Sequence, residues 1–222
     1  MAKTEKLSYH NAEKYANELW VNCENETDTR LKLSNRMIGL VLLIGLETGA
    51  RIGDLLKMKY SLIEEIKNKP NVYTITFYVE KSDANHKWVI SSKLKNKIDT
   101  TREYMKTIHG YYGDMIFYNP KTEKQFGRVW ASKRIAIANR LGKMGKIIKV
   151  AGSHSLRKAA AHNLFDRSQD LRLVQSLLKH KNIATTSKYL GLEEQEALSK
   201  AIHVLGYWFF LLNLILILYI WK

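Results

Sequence analysis

A single cysteine, Cys23, among 222 residues excludes an internal disulfide and any cysteine-based zinc site, and it points to a reducing compartment. As a lone thiol, Cys23 reads as a small apolar filler. There is no glycine-rich phosphate loop of the P-loop or dinucleotide type and no internal repeat, so ATP and nicotinamide chemistry lose support. The N-terminal stretch MAKTEKLSYHNAEKY lacks an apolar core long enough for a secretory signal, so a cytoplasmic setting is expected. Acidic side chains are scarce too. Against 36 Lys and Arg there are 21 Asp and Glu, a formal net charge of +15 spread along the chain rather than gathered in one tail. A polyanionic partner follows, nucleic acid being the simplest, with ribosomal and membrane-surface roles open at this point.

The length suits one good-sized domain, or one domain with a short appendage. Apolar residues recur at helical spacing from Leu7 to Trp20, Asn22 to Arg30 is a polar break, and a more apolar helix is expected from about Leu31 to Leu46, ended by Thr48-Gly49. A short helix beginning near Arg51 turns Ile52, Leu55 and Leu56 inward. Between Asn71 and Ile90 the period falls from about 3.6 to 2, with turn residues at Ser82-Asp83-Ala84-Asn85, which predicts a hairpin. Helical patterning then resumes, punctuated at Gly110 to Gly113, at Asn119-Pro120 and at Gly142 to Gly152. The expected fold class is mainly α with one small antiparallel β-sheet, an α+β domain.

A phosphoryl transfer run without nucleotide or metal needs a nucleophile, cations around the equatorial phosphate oxygens and an acid for the departing oxygen. A guanidinium suits the oxygens best, because its planar fork gives parallel charge-assisted hydrogen bonds and stays charged at any working pH. Arg51 follows a glycine turn and opens a helix, with Asp54 one turn on to brace its fork; the bland alternative is a surface salt bridge. His154 and Arg157 are three apart and would share a helix face, although His154 could equally be an ordinary helix-start residue. His180 stands at the end of an apolar helix, Asn182 to Thr186 reads as a cap or turn, and Tyr189 opens the next helix nine residues after the histidine. Taken alone, any one of 12 tyrosines is packing or a surface hydrogen bonder.

In order and spacing these pieces resemble the tyrosine recombinase, or phage integrase, family. Thr48-Gly49-Ala50-Arg51-Ile52-Gly53-Asp54-Leu55 looks like its first arginine box, His154-Ser155-Leu156-Arg157 like its His-x-x-Arg box, and Leu178-Lys179-His180 through Tyr189 like its final histidine and nucleophile. The resemblance covers roughly residues 7 to 203, the family's catalytic domain. It implies that Tyr189 attacks the scissile phosphate to leave a 3′-phosphotyrosine link and a free 5′-hydroxyl. Arg51 and Arg157 would hold the non-bridging oxygens, His154 would assist proton transfer and His180 would hydrogen-bond the phosphate. It further implies a lysine in the hairpin as acid for the leaving 5′-oxygen. Lys81, just before the turn, is the choice, with Lys87 as competitor and two solvated hairpin charges as the bland alternative. No cofactor is implied; double-stranded DNA and a homo-oligomer, a tetramer on DNA, are the implied partners.

This sequence departs from the family pattern in three ways. Lys179 stands where glycine is usual, Lys158-Ala159-Ala160-Ala161 is blander than the usual run, and the catalytic domain begins almost at residue 7, so a separate DNA-clamping domain is expected to be missing. That short architecture resembles the fimbrial phase-variation invertases, and would also describe a fragment. Residues 1–203 are read as the DNA breaking and rejoining domain and 204–222 as an apolar tail. Val204 to Trp221 carries no charge and as a helix would span about 27 Å, near the lower limit for a bilayer core of about 30 Å. The resemblance implies that a segment after the nucleophile, here Glu193 to His203, could dock into a neighbouring protomer; for the tail itself, membrane association, protein docking and a terminus of accidental sequence are the three open readings. The leading functional expectation is a site-specific recombinase of integrase or invertase type, with DNA relaxation of the type IB topoisomerase kind or DNA binding without strand transfer as alternatives. If basic residues such as Lys133 and Arg134 contact phosphates, binding weakens steeply with salt, and a flat salt dependence counts against that surface.

Overall fold

In a computed structural model of the chain, residues 7–79, 83–140 and 153–192 are described below. They divide into two compact units with the break between Lys179 and His180. The expected boundary at 203 and 204, and the whole apolar tail, lie outside the described residues. Among the described residues no helix is long and apolar enough to cross a membrane.

The first unit is built on α2 (Thr29–Thr48), which starts at the Asp28 cap and is buried on nearly every side from Leu33 onward. A helix apolar all round belongs inside a core, and α2 is accordingly the central one. Against it lies α1 (Tyr9–Glu24), capped by Ser8, with Ala12, Ala16, Leu19 and Cys23 on its inner stripe. The helices approach closely where Gly39 faces Ala16: a Cβ there would stand 3.3 Å from the Ala16 carbonyl oxygen. Cys23 is buried as expected of a filler, and α1 runs past Trp20 to bury it, one turn longer than the apolar spacing alone predicted.

After α2 the chain turns through Gly49, at φ 61°, into α3 (Ile52–Leu55), then a 3-10 turn at Tyr60–Leu62. The expected hairpin is β2 (Val72–Val79) and β3 (Ala84–Ser91), in register from Val72 opposite Ser91 to Val79 opposite Ala84. A short strand not foreseen, β1 (Ile63–Glu65), pairs antiparallel with β2 to give the order β1-β2-β3. Three residues are too few for alternation to declare itself. Ser91 then caps α4 (Ser92–His109), and its own amide and hydroxyl donate to Glu47 at the end of α2, at 2.8 and 2.6 Å. A two-residue pair, β4 (Tyr118–Asn119) and β5 (Lys124–Gln125), forms at the Asn119-Pro120 break. It leads to α5 (Arg128–Arg140), α6 (Ser153–Ser168) and α7 (Leu171–Leu178). One core joins Leu40 and Ile44 of α2, Leu55, Ile75, Phe77, Trp88 and Leu156. The second unit contributes α8 (Ile183–Leu190). The mainly α fold with small antiparallel sheets is as expected, with β1 and the β4-β5 pair added.

Candidate active site

Local chemistry at the end of α2 places Arg51. The Thr48 hydroxyl donates to the Ile44 carbonyl at 2.6 Å and accepts from the Ala50 amide at 3.2 Å, while Gly49 takes the left-handed conformation that a side chain would disfavour. The chain therefore leaves α2 extended at Arg51, the residue immediately before α3. The guanidinium is partly exposed, with one nitrogen 3.8 Å from a carboxylate oxygen of the buried Asp54. The expected brace is present, but at this length it is a loose ion pair rather than a hydrogen bond.

Arg157 comes from the first half of α6 and is buried, at 4% exposure. One terminal nitrogen donates to the Gly49 carbonyl and the other to the Leu178 carbonyl. Those oxygens end α2 and α7, where helix carbonyls lack intrahelical donors and the helix dipole favours a cation. Arg157 is thereby brought two residues from Arg51, across a separation of 108 residues in the chain. His154 lies on an exposed turn of α6, three residues before Arg157. The alanine run after Arg157 has a packing reason. Ala159, Ala160 and Ala161 are all buried, and α6 lies close to α2, where a Cβ on Gly45 would meet Leu156 at 3.4 Å.

Of the two hairpin lysines, Lys81 falls outside the described residues. Lys87 is exposed, with its ammonium 3.5 Å from Glu64 of β1. Strand alternation turns His86, Trp88 and Ile90 to the opposite face, of which Trp88 and Ile90 are buried. There Trp88 stacks on Phe77 with ring centres 4.2 Å apart, and its indole nitrogen donates to the Leu177 carbonyl at 3.0 Å. His86 stands beside it at 5.8 Å between ring centres. Partial burial, then the charges of Lys179 and Arg51, hold the His86 imidazole below its ordinary pKa against the opposing pull of Asp54. The Lys179 ammonium lies 5.2 Å from the centre of the Trp88 ring. Neither His86 nor Trp88 was singled out from sequence; period-2 alternation marks them as sharing a face, but nothing local says what that face meets.

Lys179 closes α7 in the left-handed conformation, φ 54° and ψ 41°. Glycine reaches this region without strain, and Lys179 holds the same backbone turn while adding a side chain. Within the second unit, His180 Nδ1 is 3.0 Å from the Thr186 hydroxyl, and its ring meets the Tyr189 ring edge-on at 5.7 Å. Asn182 caps α8 by accepting from the Ala184 amide at 2.8 Å. Here the expectation needs correction: Asn182 is the cap, Thr186 is already helical, and Tyr189 sits in the last turn of α8 rather than opening it. Capping at Asn182 starts the helix early enough to bring position 186 round to His180. Thus Arg157 reaches the Gly49 carbonyl, two residues before Arg51, and within the second unit the His180 and Tyr189 rings meet edge-on. Lys133 and Arg134 are exposed on α5. Among the described residues no group of three His, Cys, Asp or Glu side chains is placed to hold a metal ion.

The family model for the phage integrase family matches residues 12–196. The chain is 24% identical over 167 residues to the probable integrase/recombinase YoeC of Bacillus subtilis (strain 168), covering 72% of this chain and 80% of that protein. It is 29% identical over 171 residues to the tyrosine recombinase XerC of Staphylococcus aureus (strain bovine RF122 / ET3-1), covering 77% of this chain and 53% of XerC. The chain thus spans about half the length of the XerC relatives it matches. Among solved structures, the XerH site-specific recombinase bound to palindromic difH substrate, in a post-cleavage complex, matches with a TM-score of 0.69 at 19% identity, over 89% of this chain and 52% of that one. The XerA recombinase matches at 0.59 and 22%, over 90% and 66%.

Proposed function

The chain belongs to the phage integrase family, and from that premise we propose that it is a site-specific DNA recombinase of integrase or invertase type, using Tyr189 as nucleophile. The observation that carries this reading is the reach of Arg157 to the Gly49 carbonyl, which draws the two arginine boxes to one place in the fold. Guanidinium groups so gathered suit the non-bridging oxygens of a phosphate, where charge builds in the transition state.

In this mechanism the Tyr189 oxygen attacks the scissile phosphorus, the P–O5′ bond breaks, and a 3′-phosphotyrosine link with a free 5′-hydroxyl results. Arg51 and Arg157 bind the non-bridging oxygens, His154 assists removal of the tyrosine proton, and His180, oriented by Thr186, hydrogen-bonds the phosphate. Lys81 supplies the proton to the leaving 5′-oxygen; the pairing of Lys87 with Glu64 on the other face of β3 supports this choice over Lys87. Attack by a 5′-hydroxyl of the exchanging strand reverses the step. The phosphodiester energy is kept in the protein link, so the exchange consumes no nucleotide. Double-stranded DNA is the substrate, a tetramer on DNA the working assembly, and the cytoplasm the setting.

Trapping on nicked or supercoiled DNA tests the reading. The wild-type protein forms a covalent adduct without metal or ATP, and Tyr189→Phe forms none; an adduct persisting in that variant overturns the assignment of the nucleophile. A 5′-bridging phosphorothiolate substrate tests the acid, since a thiolate leaves without protonation. It restores cleavage to Lys81→Ala if Lys81 is that acid, and an unrescued variant refutes the role.

A further inference from the structure

The cluster on the inner face of the hairpin contains a cation that the strand-transfer chemistry above does not use. Resting on the reading of this chain as a DNA recombinase, we propose that Lys179 is an additional DNA-phosphate-binding residue, its ammonium held over Trp88 on the hairpin face that also carries His86, so that a backbone phosphate of the bound duplex completes the site.

Three features converge on it. The left-handed backbone at Lys179 is one that glycine adopts without strain, yet a long cationic side chain occupies it. Its ammonium is directed to the Trp88 ring, and Trp88 is itself immobilised by stacking on Phe77 and by its hydrogen bond to Leu177, so the charge is held in place rather than swept through solvent. Among the described residues no carboxylate lies within ion-pair distance of Lys179, although it is half-buried. Desolvation accordingly holds its pKa below the ordinary lysine range, and its charge, together with that of Arg51, depresses His86. Asp54, within reach of Arg51, is the acidic group that opposes these cations at His86. A half-buried cation with no carboxylate beside it among the described residues is stabilised by an anion from outside, and a duplex backbone presents anions at fixed spacing.

The test is equilibrium binding to a short fluorescent duplex of arbitrary sequence over a range of salt concentrations, all in a Tyr189→Phe background so that no chemistry intervenes. Lys179→Met is expected to weaken binding several-fold and to reduce the slope of log affinity against log salt by about 0.9, the release accompanying one lost phosphate contact. Lys179→Arg keeps the charge and the slope. Lys179→Gln, neutral with a polar end, repeats the methionine result and guards against a folding defect peculiar to one variant; thermal midpoints are read for all three. An unchanged slope in the neutral variants, or a slope lost equally in Lys179→Arg, overturns the proposal. Failure of the recombinase reading looks different: wild-type protein then makes no Tyr189-dependent adduct while the slope difference at Lys179 persists. A wild-type slope near zero overturns DNA binding and the role of Lys179 together.

Discussion

Replacing Arg157 with methionine removes the guanidinium while keeping most of its aliphatic length, so the lost interactions dominate over a new cavity. Two carbonyl oxygens then lose their donor, those of Gly49 and Leu178. A hydrogen bond from a charged donor contributes about 1.5–3 kcal/mol, and a buried acceptor left unsatisfied costs about 1–3 kcal/mol. Allowing for water at one of the two oxygens, Arg157→Met is expected to lose about 2–4 kcal/mol of unfolding free energy, a large share of the roughly 5–15 kcal/mol typical of a domain. In urea the midpoint falls while the slope of free energy against denaturant stays constant, and the thermal midpoint drops by about 5–15 °C. Arg157→Lys retains the charge but has a single donor group in place of the fork, and recovers part of the loss. A change below about 0.5 kcal/mol in Arg157→Met, the scale of an ordinary surface substitution, would refute the claim that Arg157 joins the ends of α2 and α7.

Further outcomes follow from the caps and carboxylates. Asn182→Ala removes the acceptor at the start of α8 and costs about 1 kcal/mol of helix stability; Tyr189-dependent adduct formation should slow with it, and an unaltered rate would separate α8 from the positioning of Tyr189. Asp114 is slightly desolvated, which opposes ionisation, but the Ser61 hydroxyl and amide donate to it at 2.6 and 2.8 Å and hold its pKa below 3.8. A depressed carboxylate stabilises the fold fully above its unfolded pKa and ceases to do so as pH falls through the folded one. The stability gap between wild type and Asp114→Asn should therefore be largest near neutral pH and shrink below pH 3.8. A gap that widens on acidification contradicts the assignment.

The elements read correctly from sequence are those whose cause is local. Thr48-Gly49 ends α2 because glycine alone enters the left-handed region freely, and the change to period 2 after Asn71 marks the hairpin because strand side chains alternate. Local signals were weaker where neighbouring motifs compete. Asn182 to Thr186 looks like a turn by composition, yet one asparagine suffices as a cap and the helix has already begun, which moves Tyr189 to its far end. In the same way β1 has only three residues and exists because β2 offers it an edge.

What the sequence by itself determined was the inventory: a basic chain with one thiol, a mainly helical fold, and boxes around Arg51, His154, Arg157, His180 and Tyr189 whose order resembles that of the phage integrase family. Tertiary structure alone decided what those side chains meet. The carbonyls taken by Arg157 lie 108 and 21 residues away, and Trp88 finds Leu177 across 89 residues. Such partners are set by how helices and sheet pack around α2, and no periodicity or spacing within a box records them. The same packing turns Lys179 from an irregularity at a helix end into a cation held over Trp88.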